Sequence, residues 1–297
     1  MIKIVLSYIH FPFALAKYFE RALHRRNDVE LFTVGPYTGA WIPWAGGINL
    51  PAKYAVAPDL PLPANGTLPI IPIGFVEKQL PWTPDLWLQI DAGWSLRGKP
   101  QYGKNVFVAT DPHVLNYDTQ RGLADTFYCM QSPYMQPGDE YLPYAYDPTI
   151  HYPEDSLLEF DACLVGLLYQ EREQLIAGLR NQGLNVHYSI GPVFDEYREI
   201  YNRSTFALNW SSQQDLCARV WEGMAMKRVV VTNRVPDLDK FFLENRDYIG
   251  FDSIGEAIEK VLYFHQDDAT KSIAMEGYKA VKPHTWDARI ETILNDL

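Results

Sequence analysis

Arg219 and Glu222 lie one helical turn apart in the stretch ARVWEGMAMKRVVVTN (218–233), just before a β-branched run. A planar guanidinium can fork two oxygens of a diphosphate, and a carboxylate can accept hydrogen bonds from two vicinal hydroxyls, as acidic residues do for a ribose. Together they would read one nucleoside diphosphate, charge at one end and diol at the other. The same i, i+3 spacing also makes an ordinary intrahelical ion pair on a solvated face, and spacing alone favours that arrangement. Just upstream, Ser212-x-x-Asp215 in SSQQDLCARVWE has the pattern of a helix cap.

A second kind of chemistry is proton abstraction, which needs His or Asp within reach of an acceptor hydroxyl. Asp111 and His113 form a D-P-H turn at the end of a predicted strand, KNVFVATD (104–111), and His10 follows the first strand in SYIHFP. Asp111 and His113 also fit a bland role, Asp111 capping turn amides and His113 a satisfied packing residue; His10 is their rival, since the loop after a first strand normally borders the cleft.

The elements that must position these residues follow from periodicity. IKIVLSY (2–8), a helix over 13–26 and VELFTVG (29–35) make a βαβ opening, which implies a parallel sheet. Residues 36–84 change character, crowding Pro, Gly, Trp and Asn; long loops of this kind are often functional. Trp41, Trp44 and Trp82 there make either a stacking wall or pins to the core. Strands return over 85–91, 104–111 and 125–131, and YLPYAYDP (141–148) reads as a linker. Beyond it, strands over 161–166, 184–191, 205–210, 228–233 and 247–251 alternate with helices, and three helices close the chain. This is the doubly wound pattern, so we expect two α/β domains, 1–145 and 146–280, and a tail, 281–297. The tail helix places Trp286, Ile290 and Ile293 on one face, which suits packing back on the first domain.

In such sheets ligands gather beyond the carboxyl ends of the strands, where the strand order switches. Gly166 and Gly191 each end a predicted strand, where a bare backbone lets amides approach an anion.

Composition narrows the partners. A net charge of −11 disfavours general nucleic-acid binding, though a local basic site for a diphosphate remains open. Cys129, Cys163 and Cys217 are odd in number and widely spaced, which suits reduced core thiols rather than a metal or disulfide set. No apolar run is long enough for a membrane span and the N-terminus is strand-like, so a cytoplasmic protein is expected. No G-x-G-x-x-G follows the first strand, which argues against a dinucleotide-dependent oxidoreductase.

The ordered set Val165-Gly166, Arg172, Tyr201, Ser204, Leu208-Asn209, Arg219, Glu222, Ala225 and Val231-Thr232, with the tail HTWDARIETIL, resembles the CgeB-like glycosyltransferases, relatives of the GT-B families. The upstream run ATDPHVLNYD…YLPYAYDPTIHYP is similar to one branch of that group; the resemblance covers 104–297 well and the first hundred residues poorly. It implies a GT-B fold, two Rossmann-like domains facing across a cleft, with a nucleotide-sugar donor, UDP- or GDP-linked, held by the C-terminal domain. It implies an acceptor (glycan, protein or small molecule) on the N-terminal domain, and neither metal nor resident cofactor. Carried over by position, Glu222 would bind the donor ribose, Arg219 and Arg172 the diphosphate, Tyr188 and Gly191 the base. The backbone from Ser211 through Ser212 and Gln214 would approach sugar and phosphates. Two departures stand out: Gln214 sits where retaining relatives carry a second Glu, and Lys227-Arg228 where a Gly is usual. Asp111, His113 or His10 would supply the base of an inverting transfer. The alternative function is a non-catalytic module that holds a nucleotide sugar or glycan within a spore or surface assembly.

Overall fold

The computed structural model describes residues 1–42, 48–64 and 68–297. The chain divides into two compact units, Met1–Pro143 with Trp286–Leu297, and Tyr144–Thr285.

The first unit carries β1 (Ile2–Ser7), α1 (Ala16–His24), β2 (Val29–Pro36), β3 (Trp41–Ile42), β4 (Ile48–Asn49), β5 (Leu60–Leu62), α2 (Ile73–Glu77), β6 (Leu86–Asp91), β7 (Lys104–Ala109), α3 (Asp118–Leu123), β8 (Thr126–Cys129) and β9 (Glu140–Tyr141). Among the described residues these form a seven-stranded parallel sheet in the order β5-β2-β1-β6-β7-β8-β9, with β3 and β4 as a separate antiparallel pair. The 36–84 segment is therefore not structureless, since β5 extends the sheet beside β2. Trp82 packs edge-on to Phe32 against the core, whereas Trp41 is exposed. The expected partner Trp44 lies outside the described residues. Every residue of β6 is buried, as a central parallel strand requires. Its polar Gln89 is satisfied sideways, donating to Asn105 Oδ1 (2.8 Å) and accepting from the Leu96 amide (3.0 Å).

The second unit carries β10 (Phe160–Val165), α4 (Gln170–Asn181), β11 (Val186–Ser189), α5 (Asp195–Asn202), β12 (Ser204–Leu208), α6 (Ala218–Ala225), β13 (Val229–Asn233), β14 (Ile249–Phe251), α7 (Ile254–His265) and α8 (Ala269–Val281). Its parallel sheet runs β11-β10-β12-β13-β14, so the order reverses between β10 and β12. Apolar runs such as Ala162–Leu164 and Val229–Val231 are buried on both faces. The last helix, α9 (Trp286–Asn295), belongs with the first unit and packs on α1, as the tail's apolar face led us to expect. Among the described residues no helix is long and apolar enough to cross a membrane.

Helix α8 packs on α6 and β13, and Gly277 sets how closely it lies to the chain entering β14. An added Cβ there would stand 2.4 Å from the Asp247 carbonyl oxygen. Replacing a mid-helix glycine by alanine ordinarily gains about 1 kcal/mol. Here a rigid backbone carbonyl is the obstacle, and overpacking of this kind costs about 1–3 kcal/mol. Gly277→Ala is thus expected to lower the urea midpoint; a raised midpoint would show that α8 can shift freely.

Candidate functional site

Arg219 stands where the second sheet changes direction. It is in the first turn of α6, whose buried Val220, Trp221, Met224 and Ala225 press the helix onto the sheet. Its Nε donates to Val165 O at the end of β10 (3.2 Å), and its Nη1 to Asn209 Oδ1 just past β12 (2.5 Å). The guanidinium therefore bridges the two strands that flank the reversal, the place where open α/β sheets bind ligands. Gly166, at φ +142°, lies directly against it: a Cβ there would stand 2.8 Å from Arg219 Nη2. Glycine both permits that backbone angle and leaves room for the cation.

A second cation joins it. Arg172 on α4 is buried and donates to Trp210 O (3.1 and 2.8 Å) and Leu167 O (2.8 Å), tying together the loops that follow β10 and β12. Its ring neighbour is Tyr169, 4.7 Å below the guanidinium. Burial, and then the nearby Arg219 charge, lower its pKa. Among the described residues neither arginine has a carboxylate within ion-pair distance; both are held by neutral oxygens. The strand ends so carry two positive charges without a carboxylate in direct contact, a setting that favours an anion.

Asn209 organises the surrounding polar groups. It accepts from Arg219 and Cys217 Sγ (3.1 Å) and donates to Thr232 Oγ1 (2.9 Å) and Ser211 Oγ (3.3 Å). Asn233 fixes the Ser211 backbone from both sides, accepting from its N–H (2.7 Å) and donating to its carbonyl (2.9 Å). Ser212 and Gln214 follow as exposed turn residues, Gln214 at φ +58°. Tyr188 in β11 donates to Gly166 O (3.2 Å), and Gly191 beyond it stands at φ +110° with open space around its Cα.

Glu222 parts company with Arg219. It is buried, not solvated; its Oε2 accepts from the Tyr197 hydroxyl of α5 (2.8 Å), and its Oε1 lies 3.7 Å from His151 Nε2. An intrahelical ion pair on a solvated face is therefore not what the spacing builds. Burial, then the adjacent Glu222 charge, push the Tyr197 pKa up, so its hydroxyl stays a donor. The expected Ser212-x-x-Asp215 cap also falls short: α6 begins at Ala218 with Cys217 as its cap residue, and no side chain caps it. Lys227 takes the left-handed position (φ +58°) that ends α6, where its N–H meets Met224 O and the Arg228 N–H meets Gly223 O. The turn usual for glycine is thus kept by a lysine.

In the first unit the candidate bases are scattered. Asp111 follows β7, accepts from Thr110 Oγ1 (2.6 Å), and closes a turn through the Val114 and Leu115 amides. His113 in that turn is partly buried, its ring 6.1 Å from that of Tyr134. His10 does not fit the role expected of it. It is fully buried, stacked 3.6 Å from Tyr8, and both ring nitrogens lack a hydrogen-bond partner. Burial, then the Lys17 charge, lower its pKa to about 2, too weak a base and out of an acceptor's reach. Cys129, Cys163 and Cys217 are free thiols, and burial pushes Cys163 up to about 12.

Sequence reasoning gave no role to Tyr197, His151 or Asn233 and missed the central place of Asn209. Asn209, His151 and Asn233 did stand in quoted stretches, as the Leu-Asn pair, the DPTIH run and the end of VVVTN; Tyr197 left no signal.

The family model described as Glycosyl transferase-like matches residues 158–295. No curated protein matches the sequence. Among solved structures, the chain is similar to Anabaena HepE in complex with UDP-glucose, with a TM-score of 0.68 and 10% identity over 100% of both chains. It is similar to the sucrose-phosphate synthase of Thermosynechococcus elongatus, with a TM-score of 0.66 and 12% identity over 99% of this chain and 98% of that one. A glycosyltransferase from Rickettsia africae gives a TM-score of 0.63 and 8% identity, covering 99% and 97%. At these identities the likeness shows the fold: this chain has the α/β architecture of GT-B glycosyltransferases, with two parallel-sheet, Rossmann-like domains.

Proposed function

We propose that the chain is a glycosyltransferase of the CgeB-like branch, moving a sugar from a UDP- or GDP-linked donor to a glycan, protein or small-molecule acceptor. One observation carries the reading: Arg172 and Arg219 converge on the reversal of the second sheet with neutral oxygens, and no carboxylate, as partners. The donor diphosphate is the anion that fits. As the bond to the sugar breaks, charge grows on that diphosphate, and prepositioned guanidiniums stabilise it at no cost of reorganisation. Glu222 takes the ribose diol, Tyr188 and Gly191 border the base, and Gly166 with Ser211 and Ser212 lies toward sugar and phosphates. Gln214 is neutral, so it offers no carboxylate to an oxocarbenium-like transition state. Asp111 or His113 then serves as the base that frees the acceptor hydroxyl. Resemblance along the second half, the match to a glycosyl transferase-like family model and the UDP-glucose held by Anabaena HepE support this assignment.

The neutral Gln214 also favours a second reading, a module that holds a nucleotide sugar without turning it over. Thermal shift with UDP- and GDP-sugars tests the shared part. A ligand at a hundred times its Kd stabilises by about 2.7 kcal/mol, and Glu222→Gln, which keeps the side-chain volume, should lose most of that shift. Failure of every nucleotide sugar to raise the melting temperature would refute both readings. Release of free nucleotide from the donor, with and without added acceptors, separates them: turnover marks the enzyme, binding alone the module.

A further inference from the structure

Glu222 accepts a hydrogen bond at one carboxylate oxygen and meets a histidine ring, 3.7 Å away, at the other. Tyr197 donates to Oε2, and the His151 ring faces Oε1 with its Nε2 edge. The ring's orientation is set from behind. The Asp147 backbone N–H points at His151 Nδ1 (3.1 Å), and a backbone N–H can only donate. Nδ1 is therefore the acceptor and Nε2 carries the proton, so the ring presents a neutral donor edge to the carboxylate. The turn that supplies this N–H is itself fixed: Thr149 donates to Asp147 Oδ1 through its amide (2.9 Å) and hydroxyl (2.7 Å), and the His151 amide returns to Asp147 O (2.7 Å). His151 and Asp147 are both buried.

We propose that His151 is a positioning residue: with Tyr197 it holds the Glu222 carboxylate in one orientation, and so sets how strictly the site demands a ribose 2′-hydroxyl. This rests on the reading of Glu222 as the ribose acceptor. A glutamate side chain free to rotate gives up rotamer entropy on binding. Clamping it beforehand moves that loss from binding to folding. A neutral donor suits this task better than a lysine or arginine, because it orients the carboxylate without neutralising it. The fixed carboxylate then discriminates between a diol and a 2′-deoxyribose, where a mobile one would adapt to either.

The two ring nitrogens can be imitated separately. Asparagine places its oxygen where Nδ1 accepts from Asp147 but does not reach Glu222; glutamine places an N–H where Nε2 stood. The full-length wild type, His151→Asn, His151→Gln and Glu222→Gln are titrated calorimetrically with UDP, 2′-deoxy-UDP, GDP and 2′-deoxy-GDP. Wild type should prefer the ribonucleotide. His151→Asn should weaken the ribonucleotide about tenfold and hardly change the deoxy form, while His151→Gln should keep most of the preference. Equal behaviour of the Asn and Gln variants, with Glu222→Gln losing the preference, would overturn the role of His151 alone. An unchanged preference in Glu222→Gln would overturn the ribose reading beneath it, and a wild type that binds neither UDP nor GDP would end both.

Discussion

Arg219→Ala is expected to weaken UDP or GDP binding by a hundredfold or more, about 3 kcal/mol, while the protein stays folded. The guanidinium has two jobs. It satisfies Val165 O and Asn209 Oδ1, and it adds one of two positive charges at the end of β10 and β12. Losing the first leaves two acceptors beside an open strand end, a deficit of about 1 kcal/mol each. Losing the second would remove the charge-assisted contact proposed to the diphosphate, which is larger. Arg219→Lys should fall between, since an ammonium keeps the charge and loses the fork. Arg172→Ala should weaken binding too, with a greater loss of stability, because its guanidinium makes three carbonyl contacts to two loops. A folded Arg219→Ala protein that binds UDP and GDP as the wild type does either would remove the arginine pair from the site.

Trp286→Ala should produce the largest loss of stability. Trp286 is fully buried, 4.8 Å from the Phe19 ring and parallel to Tyr18 at 6.1 Å, so it seats α9 on α1. Truncating a buried tryptophan costs about 3–5 kcal/mol, against a usual total of about 5–15. The ion pairs beside it look substantial: Arg25 forks Asp287 at 2.8 and 2.7 Å, and Arg26 meets Glu291 at 2.5 Å. Yet Asp287 is 40% exposed and Glu291 53%, and exposed pairs are worth about 0–1 kcal/mol. In urea denaturation the double change Arg25→Ala with Arg26→Ala should therefore cost less than Trp286→Ala. The opposite ranking would mean that charge, not burial, holds the tail.

The comparison between sequence and structure turns on which forces act locally. The strands of the second unit were legible because parallel strands buried on both faces are written as short apolar runs, as in DACLV and RVVV. The tail was legible from a 3.6-residue apolar face, with Trp286, Ile290 and Ile293 all buried. Spacing brought Arg219 and Glu222 to one stretch of helix but could not tell which partners each would choose. Glu222 finds Tyr197 and His151 from other segments, and Arg219 finds Val165 O and Asn209 Oδ1, residues the motif set contains but whose pairing with Arg219 spacing cannot show. His10 misled for the same reason: position after a first strand suggests exposure at a strand end, whereas a Tyr8 ring and the neighbouring strand cover it. The start of α6 shows the limit of a local pattern, since Ser212 and Asp215 have the spacing of a cap and the chain folds the helix from Cys217 instead.

The central claim is that the two arginines at the reversal of the second sheet hold a diphosphate. The most direct measurement is calorimetric titration of the wild-type protein with UDP against uridine, and GDP against guanosine, repeated on Arg219→Ala. The account predicts that one diphosphate binds at least a hundredfold more tightly than its nucleoside, and that most of this difference vanishes in the variant. Equal affinity for nucleotide and nucleoside, or a difference that survives intact in Arg219→Ala, would contradict it.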